Sequence, residues 1–238
     1  MTTSWAERPF LAVDTETTGL NPFEDRIVSI AVARLEDDHV AGHYVAAVNP
    51  GVEIPEAASN IHGVTTARAE ADGVPPANAL TVAAGLITEA VAHGWPVVIY
   101  NAVFDWPLLL AEADRHGVDF PAAAPILDPF LIDRMVDRFR KGGRRLIDVA
   151  AHYDVDLAEA DAHGALADAT AAARVMRRIV REHPAIASHP LAGVVLRQTQ
   201  GHEQDRQRFV DYMRVNRDPQ FDKPAGWPIP CEPERRAS

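Results

Sequence analysis

Two carboxylates stand two residues apart at the end of the first apolar run of the chain. The run from Phe10 to Asp14 predicts a strand, and Glu16 follows directly after it. In extended backbone, side chains at positions i and i+2 project from the same face, so these two carboxylates repel each other unless a cation lies between them. Oxygen ligands of this kind favour magnesium or manganese over zinc. A solvated acidic turn is the alternative for such a pair taken alone.

Three further residues that can do chemistry occur later in the chain. Asp105 comes just after the buried run Val97 to Tyr100, where a helix N-cap is the ordinary interpretation. His163 and Asp168 share a predicted helix that begins near Asp161, with the histidine in the first turn and the aspartate one and a half turns further on. A neutral histidine near a catalytic water is a competent base close to neutral pH. Taken alone, a histidine at a helix start is more often a surface residue.

Together these residues resemble the three exonuclease motifs of the DEDDh family. The three blocks are Asp14 to Gly19 (DTETTG), Asn101 to Asp105 (NAVFD) and His163 to Ala169 (HGALADA), in the order of the family's motifs and at compatible spacing. That family includes the proofreading (epsilon) subunit of bacterial DNA polymerase III. The resemblance covers about residues 8–182. Many members have a histidine where this chain has Tyr100.

The resemblance implies a ribonuclease H-like fold and an active site with two divalent metal ions, Mg²⁺ or Mn²⁺. Asp14 would bridge the two ions, Glu16 and Asp168 would complete the ligands of one, and Asp105 would act on the other mainly through ordered water. His163 would be the general base. The catalytic set is therefore His163, Asp14, Glu16, Asp105 and Asp168, of which the four acids are the metal ligands.

Further residues are candidates for binding the substrate. The turn after Glu16 offers hydroxyl and backbone N–H groups to a phosphate or a sugar. The Ile-His-Gly segment at 61–63 resembles a family segment that lies near the terminal nucleotide. Leu20 and Phe104 could hold splayed bases by stacking and wedging, with core packing as the alternative for each. The candidates are Thr17, Thr18, Gly19, Leu20, Ile61, His62, Asn101 and Phe104.

The order of predicted elements indicates an α/β protein with a mixed sheet and flanking helices. An antiparallel three-strand meander comes first, and helices then alternate with short strands that we expect to be parallel. The predicted strands are Phe10–Asp14, Arg26–Leu35, His43–Val48, Val97–Tyr100 and Ile126–Asp128. The predicted helices are Pro75–His93, Asp105–His116, Leu146–Tyr153, Ala162–Arg181 with Asp161 as N-cap, and Leu191–Val215, and the segment 61–63 is placed in a loop.

Residues 8–182 are predicted to form an exonuclease domain, and residues 183–238 a C-terminal helical extension that ends in a Pro-rich tail from Pro219. Eight arginines lie between Arg177 and Arg217 and could contact DNA or a protein partner. Whether the protein acts alone or with a DNA polymerase, and in which oligomeric state, is left open.

The composition is that of a soluble globular protein, with 47% hydrophobic and 24% charged residues. The formal net charge of -11 would repel a polyphosphate, so a nucleic-acid partner needs local compensation from bound cations, a basic patch or helix N-termini. A single cysteine, Cys231, excludes an intramolecular disulfide and a structural zinc site built on thiolates, which fits the cytoplasm. No apolar run approaches the roughly 18 residues needed to cross a bilayer, so no membrane partner is expected.

From these observations we expect a metal-dependent 3′-to-5′ exonuclease that releases nucleoside 5′-monophosphates from single-stranded or frayed DNA 3′ ends, in proofreading or repair. Trimming of RNA or short oligoribonucleotides is one alternative. A non-catalytic, polymerase-associated module that keeps the fold is another, because fold alone does not establish activity.

Overall fold

A computed structural model describes residues 4–157 and 164–230 and places five strands in one mixed sheet. The strands are β1 (Phe10–Thr17), β2 (Ile27–Glu36), β3 (His39–Ala47), β4 (Val97–Val98) and β5 (Ile126–Leu127). Their order across the sheet is β3-β2-β1-β4-β5. The first three form an antiparallel meander, whereas β4 runs parallel to β1 and β5 parallel to β4. The predicted α/β architecture is thus confirmed.

The third strand begins at His39, four residues before the predicted start. Glu36 pairs with His39, so only Asp37 and Asp38 connect β2 to β3. Asp37 has a φ of 54°, in the left-handed region that aspartate tolerates better than most residues. Because this tight turn reverses the chain at once, pairing starts earlier than the apolar pattern alone indicates.

Helices cover the sheet and extend beyond it. In chain order they are α1 (Glu56–His62), α2 (Thr66–Asp72), α3 (Pro76–His93), α4 (Ala102–His116), α5 (Pro129–Val136), α6 (Leu146–His152), α7 (Ala165–Glu182), α8 (Pro184–Ala187) and α9 (Leu191–Asn216). Among the described residues, no helix is long and apolar enough to span a membrane. The tail from Asp218 to Pro230 forms neither helix nor strand, as its prolines predict.

Three predicted helix boundaries are wrong. Ile61 and His62 are not in a loop but end α1, which Gly63 closes in the left-handed conformation at φ 74°. Helix α4 begins three residues before Asp105, at Ala102. Helix α7 begins at Ala165 with Gly164 as its N-cap, later than predicted, and Asp161 lies outside the described residues.

Apolar side chains on both faces of the sheet form two separate cores. On one face, Phe10 and Ala12 of β1 pack with α7 and its neighbours. On the other face, Leu11 and Val13 pack with α3 and α4, around Trp106. Burial on both faces explains why the apolar run at the start of β1 is almost continuous. It also means that successive residues of β1 point toward different helices.

Helix α9 closes the free edge of β5 with one side chain. The amide of Gln198 donates to the Ile126 carbonyl at 2.5 Å and accepts from the Asp128 N–H at 3.1 Å. Gln198 is only 1% exposed, so neither backbone group has water as a substitute partner. This one residue of the C-terminal extension therefore completes the sheet.

We expect Gln198→Leu to lower the free energy of unfolding by about 2–4 kcal/mol, because it leaves a buried donor and a buried acceptor unsatisfied. The matched control is Gln200→Leu, on the exposed face of the same helix, which should change it by less than about 0.5 kcal/mol. Urea unfolding followed by circular dichroism measures both. Equal effects of the two substitutions would show that Gln198 does not hold the strand edge.

Candidate active site

Three carboxylates meet where the end of β1 faces the start of α7. Asp14 and Glu16 project from the same face of β1, as their spacing predicts, and Asp168 lies in the first turn of α7. One oxygen of each carboxylate lies within 4.8 Å of the others. Three hard oxygen donors at this separation can hold a divalent cation.

Helix α7 reaches this position because the side chains under it are small. Ala169, Ala172 and Ala173 of the helix are buried against Ala12 and Ala33 of the sheet. Alanine side chains let a helix lie close to a strand, which brings Asp168 down onto the end of β1. The sequence predicted the helix, and its alanine-rich face explains why the helix lies close to β1.

A buried arginine fixes the C-terminal half of α7. The Arg177 guanidinium donates to the carbonyls of Ala6 at 2.8 Å and Arg8 at 2.6 Å, and lies 3.8 Å from the centre of the Phe10 ring. Arg177 is only 4% exposed. These contacts fix α7 against the segment that leads into β1. One side chain therefore holds together the helix that carries Asp168 and the strand that carries Asp14 and Glu16.

The fourth predicted acid, Asp105, approaches from the opposite face of β1. Its carboxylate accepts a hydrogen bond of 2.6 Å from the Thr15 hydroxyl, and Thr15 points away from the face that carries Asp14 and Glu16. Asp105 does not belong to the group of three within 4.8 Å. It is close enough to raise the pKa of both Asp14 and Glu16. The four acids therefore form one electrostatic cluster with three members in direct proximity.

Burial and mutual repulsion raise the pKa of these acids. Burial raises the pKa of Asp14 well above its usual value, and Asp105, Asp168 and Glu16 raise it further. Burial, followed by Asp168 and Asp105, raises the pKa of Glu16 to about 8. Burial raises the pKa of Asp105 to about 7, although the hydrogen bonds with Thr15 oppose it. Without cations the cluster holds protons at neutral pH, and a divalent cation is the natural replacement for them.

The start of α4 depends on Asp128, a residue that the sequence analysis missed. Its carboxylate accepts from the N–H of Asn101 at 2.9 Å and of Ala102 at 3.0 Å, and it also caps α5 through the Phe130 N–H at 3.0 Å. Asn101 has a φ of 58°. Burial raises the pKa of Asp128 to about 6, although its backbone hydrogen bonds oppose the rise. The pair Asp128-Pro129 is typical of a helix N-cap, here that of α5. No local pattern indicates that Asp128 also accepts from the N–H groups at the start of α4.

The turn after β1 is closed by its own hydroxyl groups. Thr17 donates to the Gly19 carbonyl at 2.6 Å, and the buried Thr18 donates to the Asp25 carboxylate at 3.0 Å. A Cβ atom at Gly19 would lie 2.6 Å from an Asp25 oxygen, so a larger residue here would displace the carboxylate that accepts from Thr18. Both threonines thus shape the turn, and Asp25 is a further support that the sequence analysis missed.

The remaining substrate candidates differ in exposure. Leu20 is 91% exposed and Ile61 is 57% exposed, so both present apolar surface to solvent. His62 is half-buried beside the turn: burial lowers its pKa, and a hydrogen bond with the Thr17 backbone opposes that effect. Phe104 is half-buried and packs against the core that contains Trp106.

Two further residues lie near the second and third motifs. His163, the predicted general base, lies outside the described residues. Tyr100 follows β4 by two residues, is half-buried, and donates from its hydroxyl to the Arg144 carbonyl at 2.6 Å. It therefore ties the loop before α6 to the segment that leads into Asn101.

The chain belongs to the exonuclease family, whose RNase T model matches residues 11–176. A DNA polymerase III subunit epsilon-like protein of Rhodobacter capsulatus is 33% identical over 199 residues, which is 81% of this chain and 26% of that protein. A PolC-type DNA polymerase III of Lacticaseibacillus paracasei is 25% identical over 177 residues, 74% of this chain and 12% of that protein. The chain thus spans about a quarter or less of these relatives.

Solved structures confirm the ribonuclease H-like fold. A structure of exonuclease I superposes with a TM-score of 0.63 at 23% identity, over 76% of this chain and 42% of that one. Exonuclease I of E. coli in complex with a dA16 oligonucleotide gives a TM-score of 0.60 at 22% identity, over 76% and 42% of the two chains.

The raised pKa values predict how the metal-free protein responds to pH. Unfolded Asp and Glu titrate near 4, so the folded state binds these protons more tightly, and the stability they contribute is lost as pH rises through about 7 to 8. The melting temperature in EDTA should therefore fall between pH 5 and pH 9, and Glu16→Gln should make that fall smaller.

Thermal unfolding at several pH values in EDTA measures this, with the exposed Glu53→Gln as control. Addition of Mg²⁺ should raise the melting temperature more at pH 8 than at pH 5.5, because protons compete with the cation. A melting temperature in EDTA that rises toward pH 9 would contradict the proposed repulsion.

Proposed function

We propose that this protein is a 3′-to-5′ exonuclease that removes nucleoside 5′-monophosphates one at a time from single-stranded or frayed DNA 3′ ends. The observation that carries the proposal is the convergence of Asp14, Glu16 and Asp168 within 4.8 Å, with Asp105 adjacent, in a chain of the exonuclease family. DNA is favoured because relatives are named as DNA polymerase III proteins and a structural neighbour was solved with a DNA oligonucleotide.

The residues present fit divalent cations. The three close carboxylates offer hard oxygen donors, and the raised pKa values of Asp14 and Glu16 support the proposal that positive charge belongs among them. We propose that two ions, Mg²⁺ or Mn²⁺, would bind here, with Asp14, Glu16 and Asp168 as direct ligands and Asp105 acting mainly through ordered water. When bound, such ions neutralise the phosphate, activate the attacking water and stabilise the departing oxygen.

Hydrolysis adds water across the bond between phosphorus and the 3′ oxygen of the preceding nucleotide. The water oxygen bonds to phosphorus, that P–O bond breaks, and the departing 3′ oxygen takes a proton from solvent to become the 3′-hydroxyl of the shortened strand. We propose His163 as the acceptor of the water proton, on the strength of the motif that it shares with Asp168. The carboxylates that would hold the cations act as anions, so bound cations must lower the raised pKa values of Asp14, Glu16 and Asp105.

We propose that the terminal nucleotide lies between the turn after β1 and the start of α4. Leu20 and Ile61 support this because both expose apolar side chains that bases can cover. The backbone of the turn at Thr17, Thr18 and Gly19, together with His62 and Asn101, would contact the sugar and phosphate. Phe104 is half-buried and packs against the core, so we expect it to contribute less to substrate binding.

The C-terminal division and the partner are also proposals. We propose residues 8–182 as the catalytic domain and residues 183–238 as an extension, because the family match ends at residue 176. A DNA polymerase is the proposed partner, since the relatives of which this chain spans only a part are polymerase III proteins.

An end-labelled assay tests the direction, the substrate and the metal requirement together. Strands of DNA and RNA labelled at the 5′ end, and a duplex with a mismatched 3′ end, are incubated with Mg²⁺, Mn²⁺ or EDTA. We expect a ladder that shortens one nucleotide at a time from the 3′ end of DNA and no products in EDTA. Faster shortening of RNA would favour RNA trimming, and no cleavage with any metal would favour a non-catalytic module.

Substitution separates the proposed base from the proposed ligands. His163→Ala should lower turnover by roughly 10²- to 10⁴-fold and leave metal affinity unchanged, because only proton transfer is lost. Asp168→Asn should weaken metal binding itself, since an amide carries no charge to offset the cation. Calorimetric titration with Mn²⁺ and a turnover assay measure both, with the exposed His39→Ala as control. Equal loss of metal affinity in both variants would make His163 a ligand.

A further inference from the structure

A groove between α5 and α9 opens beside the start of α4. Two cavities of about 340 and 180 Å³ share four lining residues, among them Arg134 and Asp205, and so form one continuous depression. We call this the basic groove. Asn101 and Val103 line it at one end, and the irregular tail contributes Lys223.

Cations outnumber carboxylates along the basic groove. Its positively charged lining residues are Arg134, Arg138, Arg206, Arg208 and Lys223, against the carboxylates of Asp128 and Asp205. Glu203, outside the lining, pairs with Arg206 at 2.6 Å, so an excess of two positive charges remains. Asp128 is committed to the backbone of two helices. In a chain with a net charge of -11, this local excess of positive charge is the compensation that a polyphosphate partner requires.

A single carboxylate is shared among three of these arginines. Asp205 lies 2.7 Å from Arg134, 3.0 Å from Arg208 and 3.5 Å from Arg138. One negative charge cannot balance three guanidinium groups, so two positive charges remain for an outside anion. The shared carboxylate also holds the three side chains near one another, as the binding of a strand with regularly spaced phosphates requires.

Aromatic rings lie among the cations. Phe130 and Phe209 line the wider part of the basic groove, and Phe209 is 46% exposed. The Lys223 ammonium lies 5.9 Å from the centre of the Phe209 ring. Within residues 4–157 and 164–230, no carboxylate forms an ion pair with Lys223. Cations that follow a backbone beside rings on which bases stack are typical of surfaces that bind single strands.

The position of the basic groove connects it to the carboxylates. Val103 lines the groove, and Asp105 follows two residues later in the same turn of α4. Residues two apart on a helix project to nearly opposite sides, so Asp105 faces Thr15 of β1 while Val103 faces the groove. The groove therefore opens at the start of the helix that carries Asp105, beside Asn101, which is a proposed contact of the terminal nucleotide.

We propose that the basic groove binds the single-stranded segment that lies 5′ of the nucleotide being removed. Arg138, Arg208 and Lys223 contact its phosphates, and Phe209 stacks on a base. This inference rests on the proposed function for the placement of the 3′ end. Arg208, Phe209 and Lys223 lie beyond residues 11–176, so the C-terminal extension supplies this site from outside the part of the chain that matches the family.

Binding in EDTA tests the proposal without cleavage. Fluorescence anisotropy measures the affinity of the full chain for a 5′-labelled 20-nucleotide DNA strand at several salt concentrations. Lys223→Gln and Arg208→Gln should each reduce the slope of log K against log salt by about 0.7, the value of one lost phosphate contact on a single strand. Phe209→Leu keeps apolar packing against Phe221 and should weaken binding by roughly 5- to 150-fold through lost stacking. The control Arg217→Gln, at the end of α9 and outside the groove, should change neither quantity.

Turnover on two substrate lengths separates this proposal from the proposed function. Lys223→Gln and Arg208→Gln should raise KM on the 20-nucleotide strand and leave KM unchanged on a dinucleotide without a terminal phosphate, because its one phosphate is the one being cleaved and no other is left for the groove. Unchanged strand affinity and salt slope in Lys223→Gln and Arg208→Gln would overturn the proposal and leave the groove to an acidic protein partner. A wild-type chain that cleaves neither substrate would refute the proposed function, while the binding measurement would still decide on the groove.

Discussion

Repulsion among acids at the end of β1 is the constraint that the rest of the structure has to meet. Asp14, Glu16 and Asp168 would separate in water, yet their oxygens lie within 4.8 Å. Burial and mutual repulsion raise the pKa values of Asp14 and Glu16, and burial raises that of Asp105, which shows the cost of keeping them there charged. That cost is met by the packing of two apolar cores on opposite faces of the sheet.

Three different interactions position the four acids. Strand pairing fixes Asp14 and Glu16, a face of small alanines brings Asp168 close, and the Thr15 hydroxyl holds Asp105. Behind these lie two buried polar residues, Asp128 and Gln198, which connect the start of α4 to β5 and α9. The C-terminal helix is thus part of the support of the site, and the same helix forms one wall of the basic groove. A site formed by rigid elements loses little entropy when cations and substrate bind.

Much of this arrangement follows from the sequence because the relevant patterns are local. The period of two in β1 predicts that Asp14 and Glu16 share a face, and the motif blocks predict which helices carry Asp105 and Asp168. The start of α4 was not predictable in the same way, because it depends on a carboxylate 26 residues away at Asp128. Gln198 contacts β5 across 72 residues, and no local pattern distinguishes it from an exposed glutamine. Domain boundaries and the residues that contact substrate stay predictions.

In the proposed function, cations take the place of the protons that the carboxylate cluster otherwise holds. Crystals of the full chain grown at pH 8 and soaked in Mn²⁺ allow the ions to be located by anomalous scattering. We predict a peak about 2 Å from oxygens of Asp14, Glu16 and Asp168, and a second within about 4 Å of the first on the side of Asp105. Well-ordered carboxylates without any anomalous peak between them at saturating Mn²⁺ would contradict the central claim.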